Sequence, residues 1–195
     1  SLRPATMAVM PQIVLAAMGL LILVLSAFMP KEGRFFSWFA VSTCAVALVR
    51  VGWVWHWFGI KAGSDMGRWR IDPGLGYAVD HTSLITMAIL LVGGMAVCVM
   101  SGKYLERKGY SSGEYYGLVL LALAGMGFMA AAESLLALFV GLETMSICLY
   151  ILAGTIRTHE NALEASLKYL ILGAFSTGFM VMGGALLYGS TGSLD

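Results

Sequence analysis

The chain contains 195 residues, of which 59% are hydrophobic and only 12% are charged, and its net charge at neutral pH is +1. Soluble domains carry about 25% charged residues, so this chain has too few to cover a surface that faces water. The composition excludes a disordered chain, a disulfide scaffold and a typical soluble enzyme. The small net charge gives nucleic-acid binding no electrostatic support. We therefore predict a polytopic helical membrane protein.

Six apolar stretches are long enough to cross a bilayer, which takes about 20 residues. Within each stretch the apolar residues are continuous and do not alternate with polar ones, which favours helices over a β-barrel. The predicted fold is an all-α transmembrane bundle in a single membrane domain. In chain order, the predicted spans are residues 7–29, 35–58, 81–101, 114–132, 134–154 and 162–188.

Most connections between the predicted spans are short, and this limits the topology. The exception, residues 59–80, is rich in glycine and mixed in charge, which indicates an ordered loop or a short hairpin outside the membrane. Helices four and five meet in a turn of two or three residues at Glu133 and Ser134, so we expect them to be antiparallel neighbours. Pairs of small residues, Gly127 with Ala131 and Ala174 with Gly178, would let neighbouring backbones approach.

The Lys and Arg residues of the connections predict the orientation, since the cytoplasmic side receives more of them. One side has six such residues and the other has four. This bias places the N-terminus outside and the loop at residues 103–108 in the cytoplasm. The six are Lys31, Arg34, Lys103, Arg107, Lys108 and Arg157, and the four are Arg3, Lys61, Arg68 and Arg70.

Three ionisable residues lie inside the predicted spans, where a charge costs about 2.5–3.5 kcal/mol on insertion scales. Glu143 lies about ten residues from either end of its apolar run, roughly 15 Å deep. We interpret it as a proton- or ion-binding carboxylate, and the alternative is a protonated structural glutamate. Arg50 lies near several tryptophans, which is typical of an anchor at the membrane interface.

Lys168 has two interpretations that the residues alone leave open. As an anchor it would extend to the cytoplasmic headgroups. If the helix begins with Asn161 as its N-cap and Glu164 in a capping box, Lys168 lies inside the bundle and meets Glu143 directly or through a water. Glu164, four residues before Lys168, is placed to form a helical ion pair with it and to tune its pKa.

The sequence has none of the motifs that bind dinucleotides, nucleotides or haem. Its three cysteines, Cys44, Cys98 and Cys148, lack the spacing of a metal site and are interpreted as small buried hydrophobes. We therefore expect no cofactor, no metal and no redox chemistry in this chain alone.

The second half of the chain resembles subunit N of NADH:quinone oxidoreductase, respiratory complex I, a family of antiporter-like subunits. The first two helices match only by hydropathy, and His81-Thr82 and Glu133 depart from the family pattern. The resemblance rests on residues 104–106 (YLE), 113–116 (GEYY), 135–143 (LLALFVGLE), 163–169 (LEASLKY), 172–176 (LGAFS) and 187–193 (LYGSTGS).

The resemblance implies a proton-translocating subunit of the membrane arm, with the redox chemistry of the translocase in other subunits. It implies that Glu143 and Lys168 are proton-path residues. We hypothesise that they work as a pair that switches partners. It implies other membrane-arm subunits and the lipid bilayer as partners, quinone only indirectly, and a bacterial-type inner membrane. The family has about fourteen helices, so we expect the N-terminal part of a longer subunit.

Two alternatives remain open at this point. The first is a subunit of a Na⁺/H⁺ antiporter or of a membrane-bound hydrogenase with the same fold. The second is a membrane scaffold that transports nothing, in which Glu143 is structural.

Overall fold

The computed structural model of the protein describes residues 3–29, 33–61, 69–72, 76–108, 112–156 and 160–193. The six helices found there are each long and apolar enough to cross a membrane, which confirms the predicted helical membrane bundle. A two-stranded hairpin lies between the second and third helices. The elements are α1 (Arg3–Phe28), α2 (Gly33–Lys61), β1 (Trp69–Asp72), β2 (Tyr77–Val79), α3 (His81–Lys108), α4 (Ser112–Ala130), α5 (Leu135–Ala153) and α6 (Glu160–Thr191).

The helix ends differ from the predicted spans where polar segments continue a helix beyond the apolar run. Helix α3 ends at Lys108 rather than at residue 101, because Leu105 is buried in the bundle and the Ser101 hydroxyl bonds the Tyr115 hydroxyl of α4 at 2.8 Å. Helix α6 begins at Glu160, so Asn161 lies in its first turn and the predicted N-cap is wrong. Lys31, Arg68 and Arg157, which entered the orientation argument, lie outside the described residues.

Helices α1 to α4 form the packed part of the bundle, and α4 lies at its centre. Helix α4 contacts α1, α2, α3 and α5, whereas α6 packs on α5. The core contains large side chains from four helices, including Leu15, Phe36, Leu91 and Tyr116, each almost fully buried. None of the residues in the span of α6 is buried. The bundle is therefore dense on one side and ends in a single exposed helix on the other.

Glycines set the distance between α4 and α5. A Cβ atom on Gly125 would lie 2.9 Å from the carbonyl oxygen of Gly141, and one on Gly141 would lie 2.9 Å from that of Gly125. The two backbones thus touch, which confirms that α4 and α5 are close neighbours. The predicted small-residue contact at Ala174 and Gly178 is wrong for the described chain, because Gly178 has nothing within 4 Å of its Cβ position.

Within residues 59–80, β1 and β2 form a short hairpin, which is one of the two forms expected for this segment, whereas residues 59–61 continue α2. The strands are antiparallel, with Trp69 opposite Val79. The hairpin is fixed to the turn between α4 and α5. The carbonyl oxygen of Gly76 accepts hydrogen bonds from the backbone N–H groups of Glu133 (2.7 Å) and Ser134 (3.2 Å), and Tyr77 stacks on Phe128 with ring centroids 5.0 Å apart.

Candidate functional site

Helix α5 carries the central carboxylate of the candidate site. The helix begins sharply, because Ser134 is its N-cap and its hydroxyl oxygen accepts a hydrogen bond from the N–H of Ala137 at 3.2 Å. It ends at Gly154, whose N–H bonds the carbonyl oxygens of Ile151 and Leu152. Glu143 lies near the middle of this 19-residue helix, about 12 Å along its axis from Leu135. Its depth in the span therefore agrees with the sequence-based expectation.

Glu143 has a hydrogen-bond donor on the neighbouring helix. The hydroxyl of Thr177 on α6 donates to Oε1 of Glu143 at 2.7 Å, and both side chains are half-buried. A short O–H···O⁻ bond of this kind is stronger than a bond between neutral groups. In a low-dielectric span it offsets part of the cost of burying a carboxylate. Thr177 is the one member of this site that the sequence analysis missed.

One face of α6 makes all the described polar and aromatic contacts with α5. The Ser166 hydroxyl donates to the backbone oxygen of Tyr150 at 2.7 Å, and the Tyr150 and Tyr169 rings meet edge to face at 4.8 Å. The Tyr150 hydroxyl lies directly over Gly173, where a Cβ would collide with it. Positions 166, 169, 173 and 177 recur at helical spacing. Hydroxyls at both ends of this stripe, on Ser166 and Thr177, are a signal that the sequence carries, although it does not show which helix the stripe faces.

Lys168 lies on the other side of α6. Lys168 lies nine positions before Thr177 in the sequence. At 3.6 residues per turn this is two and a half turns, so the two residues are about 13 Å apart along the helix axis and face opposite sides of it. Its side chain is 69% exposed, and it forms an ion pair with Glu164 one turn earlier. The predicted helical pair of Glu164 and Lys168 is therefore present in the structure.

The structure brings Glu143 together with Thr177 and brings Lys168 together with Glu164, but it does not bring Glu143 and Lys168 together. Thr177 donates its hydrogen bond to the Glu143 carboxylate from the side of α6 that faces α5. The Lys168 ammonium group, paired with Glu164, extends from the opposite side of the helix. The expectation that the two meet directly or through one water does not describe this arrangement. The body of helix α6 separates them instead.

Arg50 contacts an aromatic ring, as its position among tryptophans suggests. Its guanidinium carbon lies 5.7 Å from the centre of the Trp53 ring, a cation–π distance. Arg50 is six residues from the end of the described span at His56, about 9 Å along the helix. It belongs to α2, which packs on α1, α3 and α4, whereas the Glu143 site is formed by α5 and α6. Among the residues that the structure describes, no three His, Cys, Asp or Glu side chains converge as a metal site requires.

Comparison with known proteins gives one matching family model, described as NADH:quinone oxidoreductase/Mrp antiporter, over residues 132–195. NADH-quinone oxidoreductase subunit N 2 of Solibacter usitatus is 36% identical over 188 residues, which are 95% of this chain and 37% of that protein. Subunit N of Trichlorobacter lovleyi is 36% identical over 95% of this chain and 36% of its own length. The chain thus spans little more than a third of the curated relatives that match it along almost its whole length.

Among solved structures, a chain of respiratory complex I from Thermus thermophilus matches with a TM-score of 0.74 and 30% identity, over 94% of this chain and 38% of that one. The six helices therefore have the arrangement seen in a subunit of that complex. The helices between residues 132 and 195, which carry Glu143, Lys168 and Thr177, are the part that the family model covers.

Proposed function

Because the chain belongs to the antiporter-like family of NADH-quinone oxidoreductase subunit N, we propose that it forms part of a proton path through the membrane arm of such a complex. Electron transfer from NADH to quinone then occurs in other subunits, and quinone concerns this chain only indirectly. The observation that carries the proposal is a carboxylate in the middle of a span, hydrogen-bonded to a hydroxyl on the next helix. A buried ionisable group of this kind marks proton relays in membrane proteins.

In the proposed path, Glu143 is a proton-binding station and Thr177 holds its carboxylate. While Glu143 is ionised, the Thr177 hydroxyl donates to it. When Glu143 takes up a proton, the carboxyl becomes a donor and the same hydroxyl oxygen can accept, because a hydroxyl has both capacities. The pair therefore accommodates both protonation states with one rotation of a hydroxyl hydrogen and without moving a helix.

Lys168 is the second station in this proposal, on the opposite side of α6. Its ammonium group is paired with Glu164, so the path would have a second charged group with a carboxylate partner on the same helix. Since α6 lies between the two stations, we propose that they act in series across the helix rather than as one direct pair.

The wider setting is also part of the proposal. Other membrane-arm subunits are the partners, the membrane is a bacterial-type inner membrane, and the N-terminus lies on its outer side. The excess of Lys and Arg on one set of connections supports this orientation.

The test is replacement of Glu143 by Gln in the intact complex, with proton pumping per NADH oxidised as the measurement. We expect a lower proton stoichiometry with normal assembly, because the amide has a similar shape and cannot be ionised. Glu114→Gln, at the first turn of α4, is the matched control and should pump normally. An unchanged stoichiometry in Glu143→Gln would contradict the proposal and favour a structural glutamate.

A further inference from the structure

A groove outside the proton site lies where α2 begins and α3 ends. It has a volume of about 430 Å³ and is formed by one face of each helix. The α2 residues recur at intervals of one helical turn, and so do those of α3. The lining residues are Gly33, Arg34, Ser37, Trp38 and Val41 from α2, and Val99, Gly102, Lys103 and Glu106 from α3.

The groove is polar at one end and apolar at the other. Arg34, Lys103 and Glu106 lie at the boundary of the described spans, which begin at Gly33 and end at Arg107. On α2, Val41 lies seven residues beyond Arg34 and therefore about 10 Å deeper in the membrane. On α3, Val99 lies one turn deeper than Lys103, and its side chain is 63% exposed. Trp38 is 72% exposed between these zones, at the level where tryptophan is favoured in a bilayer.

The two cations of the groove are exposed and form no ion pair within the part of the chain that the structure describes. They come from different helices that converge on one site. Glu106 is the one acidic side chain of the lining, so the polar end retains an excess positive charge.

We propose that this groove binds the phosphodiester headgroup of an anionic phospholipid between Arg34 and Lys103. One acyl chain lies along Val41 and Val99, and Trp38 packs at the level of the glycerol backbone. A free phosphate offers the same charge but has nothing to place on the apolar half of the groove. Basic pockets between transmembrane helices are established sites for such headgroups. The proposal does not depend on the proton path.

The experiment measures retention of labelled phosphatidylglycerol by the delipidated, purified complex in detergent. The double variant Arg34→Gln/Lys103→Gln should bind at this site roughly twenty-five-fold more weakly, because each cation near an anionic headgroup contributes about fivefold. The complex should then retain one labelled lipid fewer. Glu106→Gln should move the affinity in the opposite direction, because it removes the one repulsive charge. Arg107→Gln, an exposed cation of α3 that does not line the groove, is the matched control and should bind as the unmodified protein does.

Two competitors distinguish the possible sources of the bound anion. Unlabelled phosphatidylglycerol should displace the label, whereas phosphatidylcholine and inorganic phosphate at the same concentration should not. Displacement by inorganic phosphate would overturn the proposal in favour of a simple anion site. Equal retention by the double variant, or equal displacement by phosphatidylcholine, would show that the groove selects no anionic lipid.

Discussion

At the scale of single residues, the hydrogen-bond partner of a charge in the membrane decides what that charge can do. Glu143 accepts from Thr177, and Lys168 pairs with Glu164. The sequence analysis identified Glu143, Lys168 and Glu164 by charge in apolar surroundings and predicted the pair at spacing i, i+4. It missed Thr177, because the hydroxyl side chains of α6 do not reveal which neighbouring helix each of them faces.

Replacing Thr177 by Val tests its role as a positioning residue for Glu143. The methyl group keeps the volume and removes the donor, so the carboxylate of Glu143 loses its hydrogen bond. The number of protons pumped per NADH oxidised should therefore fall in Thr177→Val at normal assembly. Thr177→Ser restores the hydroxyl and should restore pumping. If Thr177→Val lowered assembly and left the proton stoichiometry of the assembled complex unchanged, Thr177 would be a packing residue only.

Tyr77, in the hairpin outside the spans, predicts a dependence of stability on pH. Burial raises the pKa of Tyr77 above its ordinary value of 10, and the neighbouring Gln12 side chain partly offsets this. The folded state therefore favours the neutral phenol, so this contribution is complete below pH 10 and is lost as the pH rises further. The thermal midpoint should fall less between pH 9 and 11 in Tyr77→Phe than in the unmodified protein. Parallel curves for the two proteins would contradict the prediction.

At the scale of elements, hydropathy predicted every span, and interactions between elements shifted the ends. Helix α3 extends to Lys108 because Leu105 is buried and Ser101 bonds to Tyr115. The glycines and the mixed charge of residues 59–80 predicted an ordered loop or a short hairpin, and did not decide between them. The attachment of the hairpin to the turn between α4 and α5 was not predictable, because backbone hydrogen bonds such as those to Gly76 leave no pattern in the side chains.

Contact between the backbones of α4 and α5 predicts the effect of Gly125→Ala. The added methyl would lie 2.8 Å from the backbone nitrogen of Met145 and 2.9 Å from the oxygen of Gly141, so the helices must separate. We expect a loss of about 1–3 kcal/mol in the free energy of unfolding, as for other overpacked sites, measured by thermal denaturation in detergent. Gly93→Ala in α3, which has nothing within 4 Å, is the control and should not destabilise the protein. A neutral Gly125→Ala would show that the two helices can move apart freely.

At the scale of the whole molecule, the packing is uneven. The sequence predicted six helices of similar hydropathy, yet within the described part of the chain α4 is surrounded on several sides, whereas α6 packs mainly on α5. This exposure places Lys168 and Glu164 on the outer face of α6. Hydropathy carries no information on which helices are central, because lipid and protein interior are about equally apolar.

The orientation of the whole chain is testable by cysteine labelling in sealed vesicles. The excess of Lys and Arg predicts that the Arg107 end of α3 is cytoplasmic and the His56 end of α2 is outside. A thiol reagent that cannot cross the membrane should therefore label Arg107→Cys only from the cytoplasmic side and His56→Cys only from the other. The native cysteines Cys44, Cys98 and Cys148 are buried, so the unmodified protein is the background control. The reverse pattern would invert the orientation.

By itself, the sequence determined that this chain is a membrane bundle of six helices and that Glu143 lies in the middle of a span, because both follow from composition and from distance along the chain. It also placed Glu164 and Lys168 in one local ion pair. Only the tertiary structure decided that Thr177 meets Glu143 while Lys168 extends from the opposite side of α6. The physical reason is that contacts between helices depend on rotation about each helix axis. Rotation is set by packing details, such as the Tyr150 hydroxyl over Gly173, and not by hydropathy.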